Sequence, residues 1–310
     1  MNNLKNKLLV ITGPTATGKS QLGVELAKVF GGEIISADSR QIYTGLDIGS
    51  VKITHDEMQD IPHHLIDIAN PKDIFNVSDF KKLAQEKISE IYTRGTLPII
   101  VGGTGMYISA VIDDQEFPSV PPNMELRAEL EKLSVEELFV KLATLDPVRA
   151  QNIDKHNKVR VIRALEIANH PSASHHVGDC DNQSLGTSPY QGEDFSVLII
   201  GLNLSKEELI SRIEKRIHDR IPGLFDEIKK LLADGVSPER LNSFGLEYRY
   251  GLEYVEGKIN LDDFKKILAT KTWQYVRRQM TWWKRDSRVV WINPITDNQK
   301  ILELVQDFLN

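Results

Sequence analysis

A single cysteine, Cys180, leaves this sequence of 310 residues with no intrachain disulfide and no thiolate zinc cluster. It sits in a polar stretch with no catalytic signature and reads as incidental. Long apolar runs are missing too. The longest, Leu8 to Ile11 and Val197 to Ile200, are strand-sized and far below the roughly 20 residues of a membrane-spanning helix. The apolar run after Lys5 and Lys7 is too short for a secretion signal and ends in a glycine loop, so a cytoplasmic protein with no membrane segment is expected. An overall basic excess is absent, the net charge being −6, which argues against a generally basic nucleic-acid binder. The charge is unevenly placed, however: from Lys265 to Arg288 eight Lys or Arg residues accompany one acid, Asp286. With 41% hydrophobic and 26% charged residues, the composition is that of a soluble globular chain long enough for two domains. No internal repeat is evident.

What is present begins with GPTATGKS at 13–20. Gly13, Gly18, Lys19 and Ser20 fit the phosphate-binding pattern G-x-x-x-x-G-K-[ST], and Pro14, Thr15, Ala16 and Thr17 fill the loop between the glycines. Its flanks fit as well: Lys7 to Thr12 reads as a buried strand, and Gln21 to Phe30 carries apolar residues at helical spacing. A glycine loop entering a helix aims backbone N–H groups and the positive helix end at one point, where a phosphate or diphosphate belongs. Lys19 adds a charge at the outer phosphates, and the Ser20 hydroxyl is a ligand for Mg²⁺.

Further along, Glu33 to Ala37 predicts a second strand that carries Asp38 to its carboxyl end, where ligands bind in open α/β sheets. There Asp38 suits a Mg²⁺ contact or a general base; a turn or helix-cap aspartate is the alternative. Residues 41–60 read as a surface segment that contains Lys52 and can cover a ligand. His63 to Ile68 looks like a short strand, and its adjacent histidines face opposite ways, which disfavours a joint metal site. A helix runs from Asn76 to Arg94, and Pro98 to Val101 is a buried strand ending in a glycine-rich turn at 102–105.

Pro118, Pro121 and Pro122 open a change of character: helices at 125–133, 134–145 and 158–169, then a polar stretch at 171–194 without apolar rhythm. Buried-strand character returns at Phe195 to Gly201. The simplest account is an α/β core of 1–117 and 194–310 with helices on both faces of a parallel sheet, interrupted by a helical insert at 118–193. A helix opening at Ser205 spaces Arg212, Arg216 and Arg220 four apart. They form either a solvated basic face or a clamp from which one arginine reaches the phosphates. A further helix is expected over 223–235. The helix from about Leu261 to Arg285 interleaves basic residues with Trp273, Tyr275, Trp282 and Trp283, a pattern that suits RNA phosphates beside stacked bases, although at least two of the tryptophans read as core.

Six segments taken in order, GPTATGKS (13–20), SADSRQIY (36–43), PHHLIDI (62–68), VGGTGMYI (101–108), RVIRALEI (160–167) and RRQMTWWKR (277–285), resemble the tRNA dimethylallyltransferases of bacterial type. The resemblance implies a P-loop NTPase-like core whose loop holds dimethylallyl diphosphate, with Mg²⁺ as cofactor and tRNA as the second substrate. It implies transfer of the dimethylallyl group to N6 of the adenine adjacent to the anticodon. By the same resemblance Asp38 is the general base, Lys19 and Ser20 attend the diphosphate, and Arg216 contacts it. Asp38, Ser39, Arg40, Gln41, Thr104, Val159, Arg160, Arg163, Tyr248, Arg249, Arg277 and Arg278 are implied to touch tRNA, and the insert to clamp the anticodon stem. A monomer is expected. The family's G-T-A-K-P segment stands here as Gly49-Ser50-Val51-Lys52-Ile53, and its G-Y-[KR] as Glu247-Tyr248-Arg249. Three other activities fit parts of the pattern: prenylation of a free adenine nucleotide, small-molecule phosphorylation by a P-loop kinase, and nucleotide-dependent RNA binding without catalysis.

Overall fold

The strands β1 (Lys7–Thr12), β2 (Gly32–Ser36), β3 (His63–His64), β4 (Leu97–Val101), β5 (Ser196–Leu202) and β6 (Val289–Ile292) form one parallel sheet in the order β3-β2-β4-β1-β5-β6. This computed structural model describes residues 4, 6–118, 120–170 and 195–310. Cys180 and the polar stretch 171–194 lie outside them.

Both faces of the sheet are covered, which is why its strands read as unbroken apolar runs rather than alternating ones. Leu8 and Val10 face α3 (Val77–Thr93) and α4 (Gly105–Ile112), whereas Leu9 and Ile11 face α1 (Lys19–Phe30) and α13 (Asn298–Leu309). A third core gathers α9 (Lys206–Ala233), α10 (Pro238–Ser243), α11 (Leu246–Val255) and α12 (Leu261–Trp283) around Ile42, Tyr43 and Leu46. Residues 1–114 and 190–310 make one compact unit, and 115–189 a second. In the second, α5 (Met124–Leu130), α6 (Val135–Leu145), α7 (Pro147–Asn152) and α8 (Lys158–Ala168) enclose Leu138, Leu142, Val161 and Leu165. Among the described residues no helix is long and apolar enough to cross a membrane.

Several elements differ from the sequence reading for identifiable reasons. The strand expected over 63–68 stops after His64, because Leu65 and Asp67 take positive φ (61° and 55°) and turn the chain out of the extended region. The helix expected to open at Ser205 and the one expected over 223–235 are one helix, α9, with Pro222 inside it. Its buried positions Leu209, Ile213, Ile217, Leu224, Ile228 and Leu231 keep one phase through the proline and enter one core, so packing outweighs the missing N–H. The turn expected at 102–105 leads directly into α4. That helix is apolar nearly all round, with Tyr107 through Val111 buried, and so carries no amphipathic signal.

Candidate active site

The glycine loop joins β1 to α1 and is held from several sides. Gly13 has φ 135°, and a Cβ there would stand 2.6 Å from the Leu202 carbonyl oxygen, so only glycine lets the loop lie against β5. Thr17 Oγ1 donates to the Pro14 carbonyl at 2.9 Å, and Lys19 Nζ donates to the same oxygen at 2.6 Å. Gly18, at φ 93°, caps α1 without a side-chain acceptor, which leaves the first-turn N–H groups for a ligand. The helix begins at Lys19 rather than at Gln21.

Beside the loop lies a cavity of about 610 Å³, within the range of small-molecule sites. Thr15, Ala16, Gly18, Lys19, Ser20, Asp38, Gln41 and Arg216 all open onto it, so residues from three sequence segments meet there. Gly13, Pro14 and Thr17 of the same loop are buried and do not line the cavity. One flank is apolar, made by Val24, Ile34, Ile53, Ile66 and Val101.

Of the three arginines of α9, Arg212 and Arg216 open onto the cavity, Arg212 while still exposed, and Arg220 turns to the segment around Gly49. Arg216 donates to Thr15 Oγ1 at 2.7 Å, Arg212 to the Ala16 carbonyl at 3.4 Å, and Arg220 to the Gly49 carbonyl at 3.1 Å. The buried Nε of Arg216 has no hydrogen-bond partner among the described residues, a donor waiting for an acceptor. Burial, then repulsion from Arg220, lowers the Arg216 pKa to about 10 against the pull of Glu247 and Asp38, so it remains a cation at neutral pH. The Lys19 ammonium is enclosed by the loop although the residue keeps some exposed surface. Burial and then Arg216 bring its pKa down to about 7, with Asp38 opposing. These are the signs of an anion site whose anion is not yet counted.

Asp38 follows β2. Its Oδ1 accepts from the Arg40 N–H at 2.9 Å, the turn role, while Oδ2 takes no hydrogen bond from the described residues and is free for a substrate proton. Thr104 Oγ1 accepts from the Ser39 N–H at 3.2 Å, which ties the glycine turn after β4 to the Asp38 turn. Gln41 accepts from Ser36 Oγ at 3.3 Å and donates to the Val51 carbonyl at 3.0 Å.

The residues implied to touch tRNA divide into groups. Arg277 and Arg278 on α12 and Arg249 on α11 are exposed, with Arg278 over the Tyr275 ring at 5.7 Å. In the second unit, taken by itself, Val159 and Arg160 are exposed on α8, and Arg163 pairs with Glu166 at 3.1 Å. Tyr248 requires a correction: it is 1% exposed, packed among the helices, and its hydroxyl donates to Glu227 at 2.8 Å, so it supports the site from within instead of meeting RNA. Glu247 lies 3.4 Å from Arg220.

Sequence reasoning assigned no role to Gln279. Its side chain accepts from the Thr15 N–H and donates to the Gly103 carbonyl, each at 3.0 Å, and so joins α12, the glycine loop and the β4 turn. The signal was a glutamine in phase with Phe264, Leu268, Thr272, Val276 and Trp283, a polar residue on a buried stripe. Tyr275 also lines the cavity, its phenol pushed up to about 12 by burial and by Asp38. The two adjacent histidines part company. His64 Nε2 sits 2.7 Å from Glu33, while His63 Nδ1 donates to the Ile61 carbonyl at 2.8 Å and its ring reaches the cavity.

Comparison with known proteins gives a consistent result. The family model described as IPP transferase matches residues 41–286. A tRNA dimethylallyltransferase of Exiguobacterium sp. is 41% identical over 295 residues, covering 93% of this chain and 91% of that protein. The crystal structure of the full-length tRNA isopentenylpyrophosphate transferase from Bacillus halodurans superposes with a TM-score of 0.71 at 36% identity, covering 98% of this chain and 97% of the other. A eukaryotic dimethylallyltransferase solved acting on tRNA gives a TM-score of 0.78 at 25% identity, over 98% of this chain and 79% of that one.

Proposed function

Since the chain belongs to the IPP transferase family, we propose that it transfers the dimethylallyl group of dimethylallyl diphosphate to N6 of the adenine adjacent to the anticodon of tRNA. Its core is a P-loop NTPase-like parallel sheet, and its phosphate loop serves alkyl transfer rather than phosphoryl transfer. One observation carries the reading: the glycine loop, Arg216, the free oxygen of Asp38 and an apolar flank all open onto one cavity of about 610 Å³.

The division of labour follows from that arrangement. The diphosphate rests on the α1 N-terminus against Lys19 and the unpaired Nε–H of Arg216, and the five-carbon chain lies on the apolar flank. The adenine amine comes to Asp38. Its nitrogen forms a bond to C1 of the allylic chain as the C1–O bond breaks, diphosphate departs with that electron pair, and the N6 proton passes to the Asp38 carboxylate. Positioned donors facing the departing charge are each worth roughly 10²–10³ in rate. Because the amine belongs to a folded anticodon loop, the adenine must be unstacked to reach the site.

Mg²⁺ fits the donors on offer. Among the described residues no cluster of three or more His, Cys, Asp or Glu could hold a metal by itself, whereas the Ser20 hydroxyl opens onto the cavity next to Lys19. Mg²⁺ is commonly held by one or two protein oxygens together with substrate phosphates. When bound it would supply further neutralisation of the leaving group. Ser39, Arg40, Gln41, Thr104, Arg249, Arg277 and Arg278, with Val159, Arg160 and Arg163 of the second unit, are proposed to meet the RNA.

The test is mass spectrometry of nucleosides from tRNA incubated with the protein, Mg²⁺ and dimethylallyl diphosphate. N6-(dimethylallyl)adenosine is expected. Unmodified adenosine together with phosphate transfer from radiolabelled ATP would favour a small-molecule kinase, and prenylation of free AMP in preference to tRNA would favour a free-nucleotide enzyme.

A further inference from the structure

Ser50, Val51 and Ile53 form part of the cavity wall, and the chain that leads to them is held by hydrogen bonds at each residue from 47 to 52. Glu227 on α9 lies outside the cavity lining but accepts from three successive backbone N–H groups: Asp47 at 2.9 Å, Ile48 at 2.7 Å and Gly49 at 3.0 Å. Its Oε1 also accepts from the Tyr248 hydroxyl at 2.8 Å. Consecutive N–H groups converging on one anion form the backbone nest that loops otherwise use to bind ligand anions. Here the anion belongs to the protein and fixes the loop.

The remaining ties act on the same few residues. A Cβ on Gly49 would stand 2.5 Å from the Tyr248 ring, so the backbone lies directly on that aromatic. Arg220 donates to the Gly49 carbonyl at 3.1 Å and Gln41 to the Val51 carbonyl at 3.0 Å. Lys52, its side chain 7% exposed, donates to the Tyr43 carbonyl at 2.9 Å, to Asp47 at 2.6 Å and to Asp67 at 2.5 Å. Between these anchors Val51 sits at φ 54°, a conformation that β-branched residues rarely hold. Such strain persists only where the surroundings over-determine it, and it gathers at binding sites.

We propose that Glu227 is a positioning residue for the prenyl donor: by locking 47–53 against the site, it makes Val51 and Ile53 a fixed wall that limits the donor to a five-carbon chain. The inference rests on the alkyl-transfer reading and goes beyond it by naming what sets donor length. A longer chain would need the wall to move aside, and a segment held by Glu227, Lys52, Arg220 and Gln41 does not yield to one extra isoprene unit.

The experiment compares the parent, Glu227→Gln and Val51→Gly with dimethylallyl diphosphate and ten-carbon geranyl diphosphate as donors to tRNA. The amide of Glu227→Gln turns one acceptor oxygen into an N–H₂ that faces backbone N–H groups, so the wall loosens. Donor KM is expected to rise about tenfold, with tRNA KM unchanged, and the kcat/KM ratio for the ten-carbon over the five-carbon donor to rise by at least about tenfold. Val51→Gly relieves the positive-φ strain and removes the side chain from the wall; it is expected to melt at or above the parent temperature and to show the same relaxed ratio. A merely structural anchor would lower the melting temperature of Glu227→Gln and leave donor selectivity alone. Parent donor KM and parent selectivity in both variants would therefore overturn the inference, and Val51→Gly decides alone if Glu227→Gln fails to fold. A parent protein that transfers neither chain would instead overturn the alkyl-transfer reading, and this inference with it.

Discussion

Lys19 stands where a positive charge is costly before substrate arrives and needed afterwards. Burial strips its hydration, Arg216 repels it, and Asp38 offsets part of this, so the ammonium titrates at about 7. A bound diphosphate favours the charged form. The sign follows: at pH 6 Lys19 already carries its proton, whereas at pH 8 binding must take up about one proton, and donor affinity falls above pH 7 by at most about tenfold per pH unit. Calorimetry in buffers of different ionisation enthalpy should record that uptake at pH 8, and Lys19→Arg should lose it. Proton-neutral binding by the parent at pH 8 would contradict the assignment. Lys19 and Ser20 were legible as single residues because their spacing is itself the signal. The role of Glu227 was not, since its partners at 47–49 lie about 180 positions away in the chain and no local pattern announces a carboxylate inside a backbone nest.

At the scale of elements, α12 has two kinds of surface. Its buried stripe carries Gln279 to the glycine loop, and its exposed side presents Arg277 and Arg278. If those arginines meet RNA phosphates, replacing both by alanine should weaken tRNA binding and flatten the dependence of log K on log salt by about 0.7–0.9 for each phosphate no longer neutralised. Filter binding across a salt series measures the slope, and a slope equal to the parent's would exclude the interaction. The α9 helix teaches a related lesson. Two helices were expected here, yet the apolar phase from Leu209 to Leu231 runs through Pro222 unbroken. Phase was the better guide, because the energy of burying six side chains in one core exceeds the loss of a single helix hydrogen bond. The three arginines at four-residue spacing were visible in the sequence, but which neighbours they face depends on where α9 packs, and periodicity does not report that. Tyr248 failed as an RNA contact for the same reason: its burial is a property of the packed helices, not of its motif.

For the whole molecule, the doubly covered parallel sheet explains why the site forms where it does. The glycine loop, Asp38 and the 102–105 turn follow β1, β2 and β4, which are neighbours in the sheet, so their carboxyl ends converge. The unbroken apolar strands made that sheet readable, whereas α4, buried on most of its circumference, gave no amphipathic rhythm to read. The convergence depends on a tight layer beneath it. Phe80 is fully buried and stacks on Tyr107 with ring centroids 4.3 Å apart, so Phe80→Ala should cost about 3–5 kcal/mol. Urea denaturation measures this, and a destabilisation below about 1 kcal/mol would show that the layer repacks freely.

The most direct measurement is single-turnover alkyl transfer by Asp38→Asn at saturating dimethylallyl diphosphate, Mg²⁺ and tRNA. Asparagine keeps an oxygen for the Arg40 N–H, so the turn and tRNA affinity should survive, while the side chain can no longer accept the N6 proton. The account predicts a rate lower by about 10²–10⁴ with unchanged tRNA binding. Transfer at the parent rate would remove Asp38 from the chemistry and contradict the account at its centre.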